Sequence, residues 1–421
     1  MIQNLLSNYL RWIFRRHMQL QPLPEAHPQP QQGKRYLLYL HIPFCESLCP
    51  FCSFHRVKLN HDLAGRYFEA LRREIHFYHQ AGFEFTDVYV GGGTPTVIPQ
   101  QLADTLDLVR ELFDVRQVSV ETNPNHLRQD VFDHLLSAGV SRLSVGVQSL
   151  EDPLLMEMGR YQPYGSAEEI LHRLEYTQGC FATFNVDMIF NFPHQTMDSL
   201  LSGIELLKGI GVDQITAYPL MPAETTQTAM LQQIGRVEFT RESAMYAEIR
   251  RTLMPEYQAD TAWSFARHSM APIDEYIVDH DEYVGVGSGS FSYLDGVLYA
   301  NSFSINHYIE LTREARPGVM ASHPLTLGER INYGILLNLF GLSLSKTKLS
   351  GTFSGEHLNL MHSELSLLKW LGVIEETENE YLLTQDGMYY WVMMMREFFI
   401  GVNNLRVQMN SQSREQRRLT H

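Results

Sequence analysis

Six short segments rich in β-branched and aromatic residues alternate with helical patterns between residues 36 and 253. This alternation constrains the fold most, because each strand–helix–strand passage predicts a right-handed crossover in a mainly parallel sheet. Thr196 directly precedes a periodic apolar segment, so it is predicted to cap the fifth helix. The predicted strands are residues 36–42, 86–90, 117–121, 142–147, 183–190 and 214–218, and the predicted helices are residues 63–79, 99–112, 127–137, 166–177, 196–207 and 237–253.

Two architectures fit this alternation, an open doubly wound sheet and a curved partial barrel. In a (β/α) barrel, functional side chains lie at the carboxyl ends of the strands. The chemically distinctive residues of this sequence fall there. Three cysteines follow the first strand and a glycine run follows the second, while Glu121 ends the third, Gln148 follows the fourth and Asp187 lies within the fifth. We therefore predict an α/β fold built on a partial (β/α)6 barrel of the TIM type.

Three of the four cysteines fall within eight residues, spaced as Cys45-x3-Cys49-x2-Cys52. Thiolates this dense, in a chain otherwise poor in cysteine, predict a metal cluster. Ordinary electron-transfer iron–sulfur clusters use four cysteines. Three would leave one iron with an open coordination position, which is the mark of a catalytic metal. The alternative is a structural zinc site, for which His41 or His55 could supply the fourth ligand.

Charge, cysteine content and hydropathy exclude several classes of protein. The net charge of −15 argues against a general nucleic-acid binder. A hydrophobic content of 44% is sufficient for a sizeable core. Clustered cysteines do not form a disulfide framework, and they suit a reducing cytosol. No apolar run reaches the roughly 18 residues that span a membrane, so we predict a cytoplasmic protein.

Residues 1–34 are predicted to form an N-terminal helix followed by a linker. Apolar residues recur at helical spacing from Ile2 to Phe14, interrupted by Arg11, Arg15 and Arg16. Such a helix could lie on a membrane surface, or it could dock on its own protein or on a partner. The second interpretation is favoured, because the apolar stripe is no wider than an ordinary core-facing one. Residues 22–34 are rich in proline and glutamine, which is typical of a linker.

The sequence pattern changes after residue 256. We predict a core barrel at residues 35–256 and a glycine-rich, extended addition to it at residues 257–324. A helical, winged-helix-like domain is expected at residues 325–402, with a β-hairpin around residues 372–383. Residues 403–421 are polar and charged, which predicts a disordered tail.

The segment from His41 to Cys45, with Cys49 and Cys52, resembles the signature of radical S-adenosylmethionine (SAM) enzymes. Its flanks resemble the oxygen-independent coproporphyrinogen III oxidases and the related radical SAM haem chaperones. The resemblance covers roughly residues 36–400. Further motifs match in order along the chain: Gly91-Gly92-Gly93-Thr94-Pro95-Thr96, Glu121-Thr122-Asn123-Pro124, Arg142-Leu143-Ser144-Val145-Gly146-Val147-Gln148-Ser149, Asn185-Val186-Asp187, Pro193-His194-Gln195-Thr196 and Leu371-Gly372-Val373-Ile374.

This resemblance implies a [4Fe–4S] cluster ligated by Cys45, Cys49 and Cys52, with SAM on the fourth iron. In such a family, one electron from the reduced cluster cleaves SAM to methionine and a 5′-deoxyadenosyl radical, which abstracts a substrate hydrogen. The implied partners are a tetrapyrrole or haem, and a reduced electron donor such as flavodoxin or ferredoxin. The expected function is that of a coproporphyrinogen III oxidase-like oxidoreductase that acts on a tetrapyrrole.

The resemblance also implies eight positions in contact with SAM. Carboxylates there can accept from ribose hydroxyls or the ammonium group, and a guanidinium can bind a carboxylate bidentately. For each position, the alternative is a structural role in the barrel or, for an arginine, a solvated surface charge. The implied contacts are Gly92, Gly93 and Thr94 at the amino acid end, Glu121, Gln148, Arg160 and Asp187 at the remaining positions, and Tyr39 near the cluster and SAM.

Three further features have both a functional and a structural interpretation. Cys180 lies between a helix and a strand, and we predict a small buried hydrophobic residue rather than a cluster ligand. Met393–Met395 could line a haem groove, but their helical spacing favours core packing. His268 could ligate haem, and an ordinary histidine is the favoured interpretation.

Two departures from the oxidase pattern bear on the substrate. The coproporphyrinogen oxidases extend the signature to C-x3-C-x2-C-x-C, whereas this chain has Phe54 at the last position. The haem chaperones also have an aromatic residue there. Residues 262–265, Ala-Trp-Ser-Phe, replace the usual sequence of a region that shapes the substrate pocket in the family. A haem chaperone, and a radical SAM methyltransferase or haem-cleaving enzyme, are therefore kept as alternatives.

Overall fold

The computed structural model describes residues 20–22, 28–222, 224–267, 280–352 and 356–419. The predicted helix within residues 1–19 and His268 both lie outside these residues. Strands in the described residues form three sheets, the largest of which has thirteen strands. In chain order they are β1 (Gln21–Pro22), β2 (Tyr36–Ile42), β3 (Phe44–Cys45), β4 (Val57–Lys58), β5 (Phe85–Gly92), β6 (Gln117–Thr122), β7 (Arg142–Gln148), β8 (Thr183–Phe190), β9 (Gln214–Pro219), β10 (Tyr257–Ala259), β11 (Ser264–Arg267), β12 (Tyr283–Val286), β13 (Phe291–Leu294), β14 (Val297–Asn301), β15 (Val319–Pro324), β16 (Ser343–Ser345), β17 (Ile374–Glu376) and β18 (Glu380–Leu383).

Several helices begin at a side chain that accepts from one of their free backbone N–H groups. Thr196 accepts from the N–H of Ser199 at 3.1 Å, which confirms it as an N-cap. None of the described helices is both long enough and apolar enough to cross a membrane. In chain order the described helices are α1 (His61–Gln80), α2 (Pro99–Leu112), α3 (Gln129–Ser137), α4 (Asp152–Glu157), α5 (Tyr161–Tyr164), α6 (Ala167–Thr177), α7 (Met197–Ile210), α8 (Glu224–Gln233), α9 (Glu242–Leu253), α10 (Ile305–Arg313), α11 (Leu327–Phe340), α12 (Lys346–Thr352), α13 (Glu356–Trp370) and α14 (Gln385–Leu419).

Six parallel strands form the centre of the large sheet. They lie side by side in the order β2, β5, β6, β7, β8 and β9, and helices connect them. Every residue of β2 and β5 is buried, which explains why most of their residues are apolar or glycine. The predicted α/β fold with a partial (β/α)6 barrel is confirmed, and each of the six strands has bounds within two residues of its prediction.

The chain after α9 adds strands to both edges of this parallel sheet. At one edge β11 pairs antiparallel with β9, and β10 pairs with β11. At the other edge β12 pairs parallel with β2, and the sheet continues through antiparallel β13, β14, β15 and β1. The sequence predicted only an extended, glycine-rich region here, because strands of three to six residues carry little periodicity.

A buried carboxylate joins this added region to α1. Glu74 is fully buried and accepts from the N–H groups of Gly287 at 2.9 Å and Gly318 at 2.6 Å. It also accepts from Asn301 Nδ2 at 3.0 Å and from the Tyr308 hydroxyl at 2.7 Å. One barrel side chain therefore satisfies four polar groups of the added region. These bonds fix β12 beside β2, the strand that precedes the cysteines.

The C-terminal region is helical, as predicted. It contains a three-stranded antiparallel sheet, in which β17 and β18 form the hairpin expected around residues 372–383. Trp391 is fully buried, and its indole N–H donates to the C=O of Leu336 at 2.8 Å. Met393 and Met395 are buried, and Met394 packs against the same core. The methionine run therefore belongs to the core, as its helical spacing predicts.

The sequence predicts a disordered tail from residue 403, and in the structure α14 continues to Leu419. Leu405 is buried in a small cluster with Phe291 and Phe303 of the added region. Asn403 is also buried, and its Nδ2 donates to Ser53 Oγ at 2.6 Å. Partners distant in sequence stabilise this part of the helix, so its polar composition alone was misleading.

Candidate functional site

The three clustered cysteines lie in a loop that begins at the carboxyl end of β2. The loop closes because β3 and β4 pair in parallel, and because the N–H of Val57 donates to the C=O of Pro43 at 2.7 Å. Cys45 and Cys49 are buried, and Cys52 is half-buried. Three thiols are thus held at the end of the barrel where the carboxyl ends of the strands meet.

Two side chains from other loops reach the cysteine sulfurs. The Thr94 hydroxyl donates to Cys45 Sγ at 3.6 Å, and Arg160 Nη1 donates to Cys49 Sγ at 3.5 Å. Burial raises the pKa of the Cys45 thiol to about 12, although the hydrogen bond from Thr94 opposes the rise. Without a metal, Cys45 is therefore a neutral thiol at pH 7, and a bound iron would replace its proton.

The histidines near this loop do not complete a zinc site. His41 Nδ1 lies 3.0 Å from the Tyr39 hydroxyl, and His41 Nε2 lies 2.9 Å from the carbonyl oxygen of His55. His55 Nε2 lies 3.2 Å from Ser288 Oγ. Within the described part of the chain, no group of three or more His, Cys, Asp or Glu residues is arranged to hold a single metal ion. This arrangement disfavours the structural zinc alternative.

The glycine run at the end of β5 brings backbone against the cysteine loop. A Cβ atom on Gly93 would lie 2.7 Å from the Phe44 carbonyl oxygen and 3.0 Å from Cys45 Sγ. Gly92 has a φ of 117°, and a Cβ there would lie 2.7 Å from the His41 imidazole. Glycine alone fits at both positions without displacing its neighbours, so the end of β5 approaches the cysteines very closely.

Glu121, near the carboxyl end of β6, faces the same glycines. Its carboxylate accepts from the Tyr89 hydroxyl at 3.0 Å and from the N–H of Gly92 at 3.2 Å. A Cβ atom on Gly91 would lie 2.8 Å from Glu121 Oε1. Burial raises the pKa of Glu121, and its two hydrogen bonds oppose the rise. A ligand bound at the glycine run would therefore meet this carboxylate.

Gln148 ends β7 in a strained conformation. Its φ is 74°, and the pairing of β7 with β8 is irregular between Gly146 and Gln148. Non-glycine residues in this left-handed region are uncommon and cluster at functional sites. Gln148 Oε1 is also buried with no hydrogen-bond partner among the described residues. A bound ligand could satisfy this acceptor.

A chain of hydrogen bonds joins three of the loops. Arg160 Nη2 donates to Asn123 Oδ1 at 2.9 Å, and Asn123 Nδ2 donates to Thr94 Oγ1 at 2.7 Å. Since Thr94 contacts Cys45, this chain runs from Arg160 to the first cysteine. The Arg160 guanidinium also lies 4.2 Å from the centre of the Tyr164 ring. Sequence reasoning assigned no role to Asn123 or Tyr164, although Asn123 could have been found from its place just past β6.

Asp187 and Tyr39 lie within the strands rather than in the loops. Asp187 accepts from Ser144 Oγ at 2.9 Å and from Asn185 Nδ2 at 2.7 Å. It is in register with Gly146, beside the strained end of β7. Tyr39, on β2, is only 8% exposed. Residues of the loops therefore contact one another directly, whereas Asp187 and Tyr39 lie in the barrel wall.

Cys180 lies apart from this site, between α6 and the amino end of β8. Its Sγ donates to the C=O of Tyr176 at 3.5 Å. The thiol is half-buried, whereas the sequence predicted a buried residue. The difference arises because Cys180 follows a surface helix and bonds to the last turn of that helix.

The residues at this end of the barrel suit a [4Fe–4S] cluster with SAM. Three thiols can ligate three irons and leave the fourth open. The unpartnered Gln148 oxygen and the Arg160 guanidinium offer an acceptor and a cation to a zwitterionic ligand. The glycine run lets such a ligand approach the backbone. These groups come from the ends of β2, β5, β6 and β7 and the loops that follow them.

Comparison with known proteins agrees with this site. Residues 39–230 match the model of the Radical SAM superfamily. Heme chaperone HemW of Bacillus subtilis (strain 168) is 27% identical over 366 residues, which are 83% of this chain and 95% of that protein. Oxygen-independent coproporphyrinogen III oxidase of Salmonella typhimurium (strain LT2) is 29% identical over 256 residues, which are 58% of this chain and 54% of that protein.

A solved structure extends the comparison to the fold. Coproporphyrinogen III oxidase (HemN) from Escherichia coli, described as a radical SAM enzyme, superposes with a TM-score of 0.72 at 23% identity. The superposition covers 86% of this chain and 90% of that one, so the two chains share their architecture. Residues 39–230 therefore form a radical SAM domain, whose cofactors are a [4Fe–4S] cluster and SAM, and the chain is similar to both the HemW haem chaperones and the oxygen-independent coproporphyrinogen III oxidases.

Proposed function

We propose that Cys45, Cys49 and Cys52 ligate the cluster and that the loops around them hold SAM at its open iron. The chemistry that these cofactors supply when bound is one-electron cleavage of the SAM carbon–sulfur bond, which generates a radical able to abstract hydrogen. The observation that carries the proposal is the approach of Gly93 to Cys45, where a Cβ would lie 3.0 Å from Sγ. Glycine at this position lets the end of β5 lie directly against the first cysteine.

The polar groups around the cysteines support a binding mode for SAM. The backbone at Gly92 and Gly93, with Thr94, would receive the amino acid end. The Glu121 carboxylate would accept from the ammonium or a ribose hydroxyl, and the Arg160 guanidinium would bind the SAM carboxylate. Every residue of β2 and β5, the strands that lead into the site, is buried, which helps to keep water from the reacting groups. Tyr39, Gln148 and Asp187 complete the proposed contacts.

We further propose that the chain binds a tetrapyrrole, and that haem is favoured over coproporphyrinogen III. Phe54 supports this choice, because it stands where the oxidases have a fourth cysteine and its side chain is 49% exposed beside the loop. The match over 95% of a protein named a haem chaperone, against 54% of one named an oxidase, supports it as well. We propose a flavodoxin or ferredoxin as the reductant and the cytoplasm as the location.

The packing of Trp263 bears on the oxidase alternative. It is fully buried, with ring centroids 4.7 Å from Phe340 and 5.8 Å from Phe399. The resemblance implies that residues 262–265 replace the usual sequence of a region that shapes the substrate pocket of the oxidases. Here Trp263 is occupied in packing against the C-terminal helices, so it is not available to contact a substrate.

The test is a side-by-side assay of the anaerobically reconstituted protein with haem and with coproporphyrinogen III. We expect haem to bind with a shifted absorption band, SAM to be cleaved when a reductant is present, and coproporphyrinogen III to remain intact. A Cys45→Ala variant should bind haem but not cleave SAM, which separates the two activities.

The other outcomes identify the alternatives. Release of a product two carboxyl groups lighter than coproporphyrinogen III would assign the oxidase reaction instead. Conversion of haem to a methylated or ring-opened product, dependent on SAM cleavage, would assign the methyltransferase or haem-cleaving class. Failure to bind either tetrapyrrole would refute the proposed substrate class but not the radical SAM chemistry.

A further inference from the structure

Arg56 is a second cationic side chain at the cysteine loop, and the proposed SAM contacts do not include it. It lies four residues after Cys52, directly before β4. Its Nη2 donates to the carbonyl oxygen of Cys52 at 2.8 Å and also to that of Cys49. The backbones of two proposed ligands thus fix the position of the guanidinium.

The charge of Arg56 is not neutralised by these contacts. These two hydrogen bonds go to backbone carbonyls, which carry no net charge, and the guanidinium also contacts the side chain of Cys52, one of the proposed ligands. Arg56 Nε is buried and has no hydrogen-bond partner within the described residues. A guanidinium remains protonated at any physiological pH. A permanent positive charge therefore lies within the loop that would surround the cluster, where solvent screens it less than at the surface.

Arg160 is the other guanidinium near the cysteines, but its role is different. Its Nη1 reaches Cys49 Sγ at 3.5 Å, and its Nη2 is bonded to Asn123. Replacing Arg160 would change SAM binding and cluster charge together, since it belongs to the proposed SAM contacts. Arg56 offers the cleaner test, because its two hydrogen bonds stay inside the cysteine loop.

Elementary electrostatics gives this charge a function. A [4Fe–4S] core of charge 2+ with three thiolates carries a net charge of −1, and one added electron makes it −2. A fixed cation nearby stabilises the reduced state more than the oxidised state. Net charge and hydrogen bonding are among the factors that set the potential of such clusters.

We propose that Arg56 raises the reduction potential of the cluster and so makes its one-electron reduction accessible to a protein donor. This inference rests on the proposed function, because it requires a cluster on the three cysteines. Arg56 acts here as a tuning residue rather than as a ligand or a SAM contact. Its charge, and not merely its hydrogen bonds to Cys49 and Cys52, is the property that matters.

The test is an EPR-monitored redox titration of the reconstituted protein without SAM, together with iron analysis. Arg56→Gln removes the charge, and Arg56→Lys keeps it. Lys58→Gln is the matched control, since Lys58 carries the same charge two residues away but is exposed. We expect R56Q to lower the ratio of reduced to oxidised cluster at least tenfold at a fixed potential, which is a shift of about 59 mV for one electron. R56K and K58Q should stay close to the wild type.

Several results would overturn this role. An unchanged reduction potential in R56Q would rule out the tuning role of Arg56. Equal shifts of the potential in R56Q and R56K would show that loop geometry matters rather than charge. Loss of iron from R56Q would make Arg56 a residue that holds the loop together, which also contradicts the proposal. A wild-type protein without a four-iron cluster would refute the proposed function itself, and iron analysis of the wild type distinguishes that failure from the others.

Discussion

Gly93 provides the sharpest structural prediction. In Gly93→Ala, the new Cβ would lie 2.7 Å from the Phe44 carbonyl oxygen, 3.0 Å from the Ile42 carbonyl oxygen and 3.0 Å from Cys45 Sγ. Ordinary contacts begin at 3.4 Å, so the nearest atom must move by about 0.7 Å (3.4 − 2.7). Two of the three atoms are backbone and cannot rotate away. The strain must therefore displace either the end of β5 or the first cysteine.

The size of the expected destabilisation follows from the hydrogen bonds that join the end of β5 to the cysteine loop. The N–H of Gly93 donates to the C=O of Ile42 at 2.8 Å, and the N–H of Thr94 donates to the C=O of Phe44 at 2.8 Å. Weakening these bonds costs about 1 kcal/mol each, and overpacking in general costs about 1–3 kcal/mol. A loss of about 2 kcal/mol, if it falls on the loop, corresponds to roughly 30-fold weaker cluster retention.

The assay is chelator-induced iron release from anaerobically reconstituted protein, with urea unfolding measured in parallel. Gly65→Ala in α1 is the matched control, because no atom lies within 4 Å of its added Cβ. It should be neutral or stabilising by about 0.5–1 kcal/mol. Gly91→Ala should have an intermediate effect, since its Cβ meets only the movable Glu121 carboxylate. If G93A retains iron and unfolds as G65A does, the close approach of β5 to the cysteines is refuted.

Three further predictions concern stability and cluster content. His280 Nε2 lies 3.2 Å from Asp87 Oδ2, and burial lowers the pKa of His280 while Asp87 opposes this shift. Folding therefore favours neutral His280, so the stability that this residue gives to the fold is fully present above about pH 6.5. That stability is lost as the pH falls below about 6.5 and through the lowered pKa of the folded protein. Urea midpoints of the wild type should decrease more between pH 7.5 and 5 than those of H280Q, and parallel curves would contradict this. Glu74→Ala removes an acceptor from four donors, of which only Asn301 Nδ2 keeps bonds to backbone carbonyls, and it should lower the free energy of unfolding by about 3 kcal/mol. Urea denaturation with an unchanged midpoint would disprove the role of Glu74. Cys180→Ala should leave the iron content unchanged, and iron analysis that showed a loss would make Cys180 a cluster residue.

Local sequence patterns were sufficient for the parallel core but not for the strands added to it. The six central strands could be predicted because each is a short segment rich in β-branched and aromatic residues, and helical patterns separate one strand from the next. Strand β12 contains Gly285 in only four residues, and its position depends on a bond from Gly287 to Glu74, 213 residues away. Similarly, Asn403 and Leu405 extend α14 through contacts with distant parts of the chain. Such pairings have no local signature.

The same distinction applies to the candidate site. The cysteine spacing, the glycine run and Glu121 were recognisable because their residue types and positions at strand ends are informative in themselves. Arg56 and Asn123 were not, because an arginine or an asparagine in a loop is usually a solvated surface residue. Their importance follows from where the Cys49 and Cys52 carbonyls point and from the bond between Asn123 and Thr94.

The central claim is that three cysteines hold a four-iron cluster with one iron open to SAM. EPR spectroscopy of the anaerobically reconstituted, reduced protein, recorded with and without SAM, tests this most directly. The account predicts about four irons per chain, a cluster signal that changes when SAM binds, and loss of SAM cleavage in Cys45→Ala. A protein that held one zinc and no iron, or a cluster signal that SAM left unchanged, would contradict it.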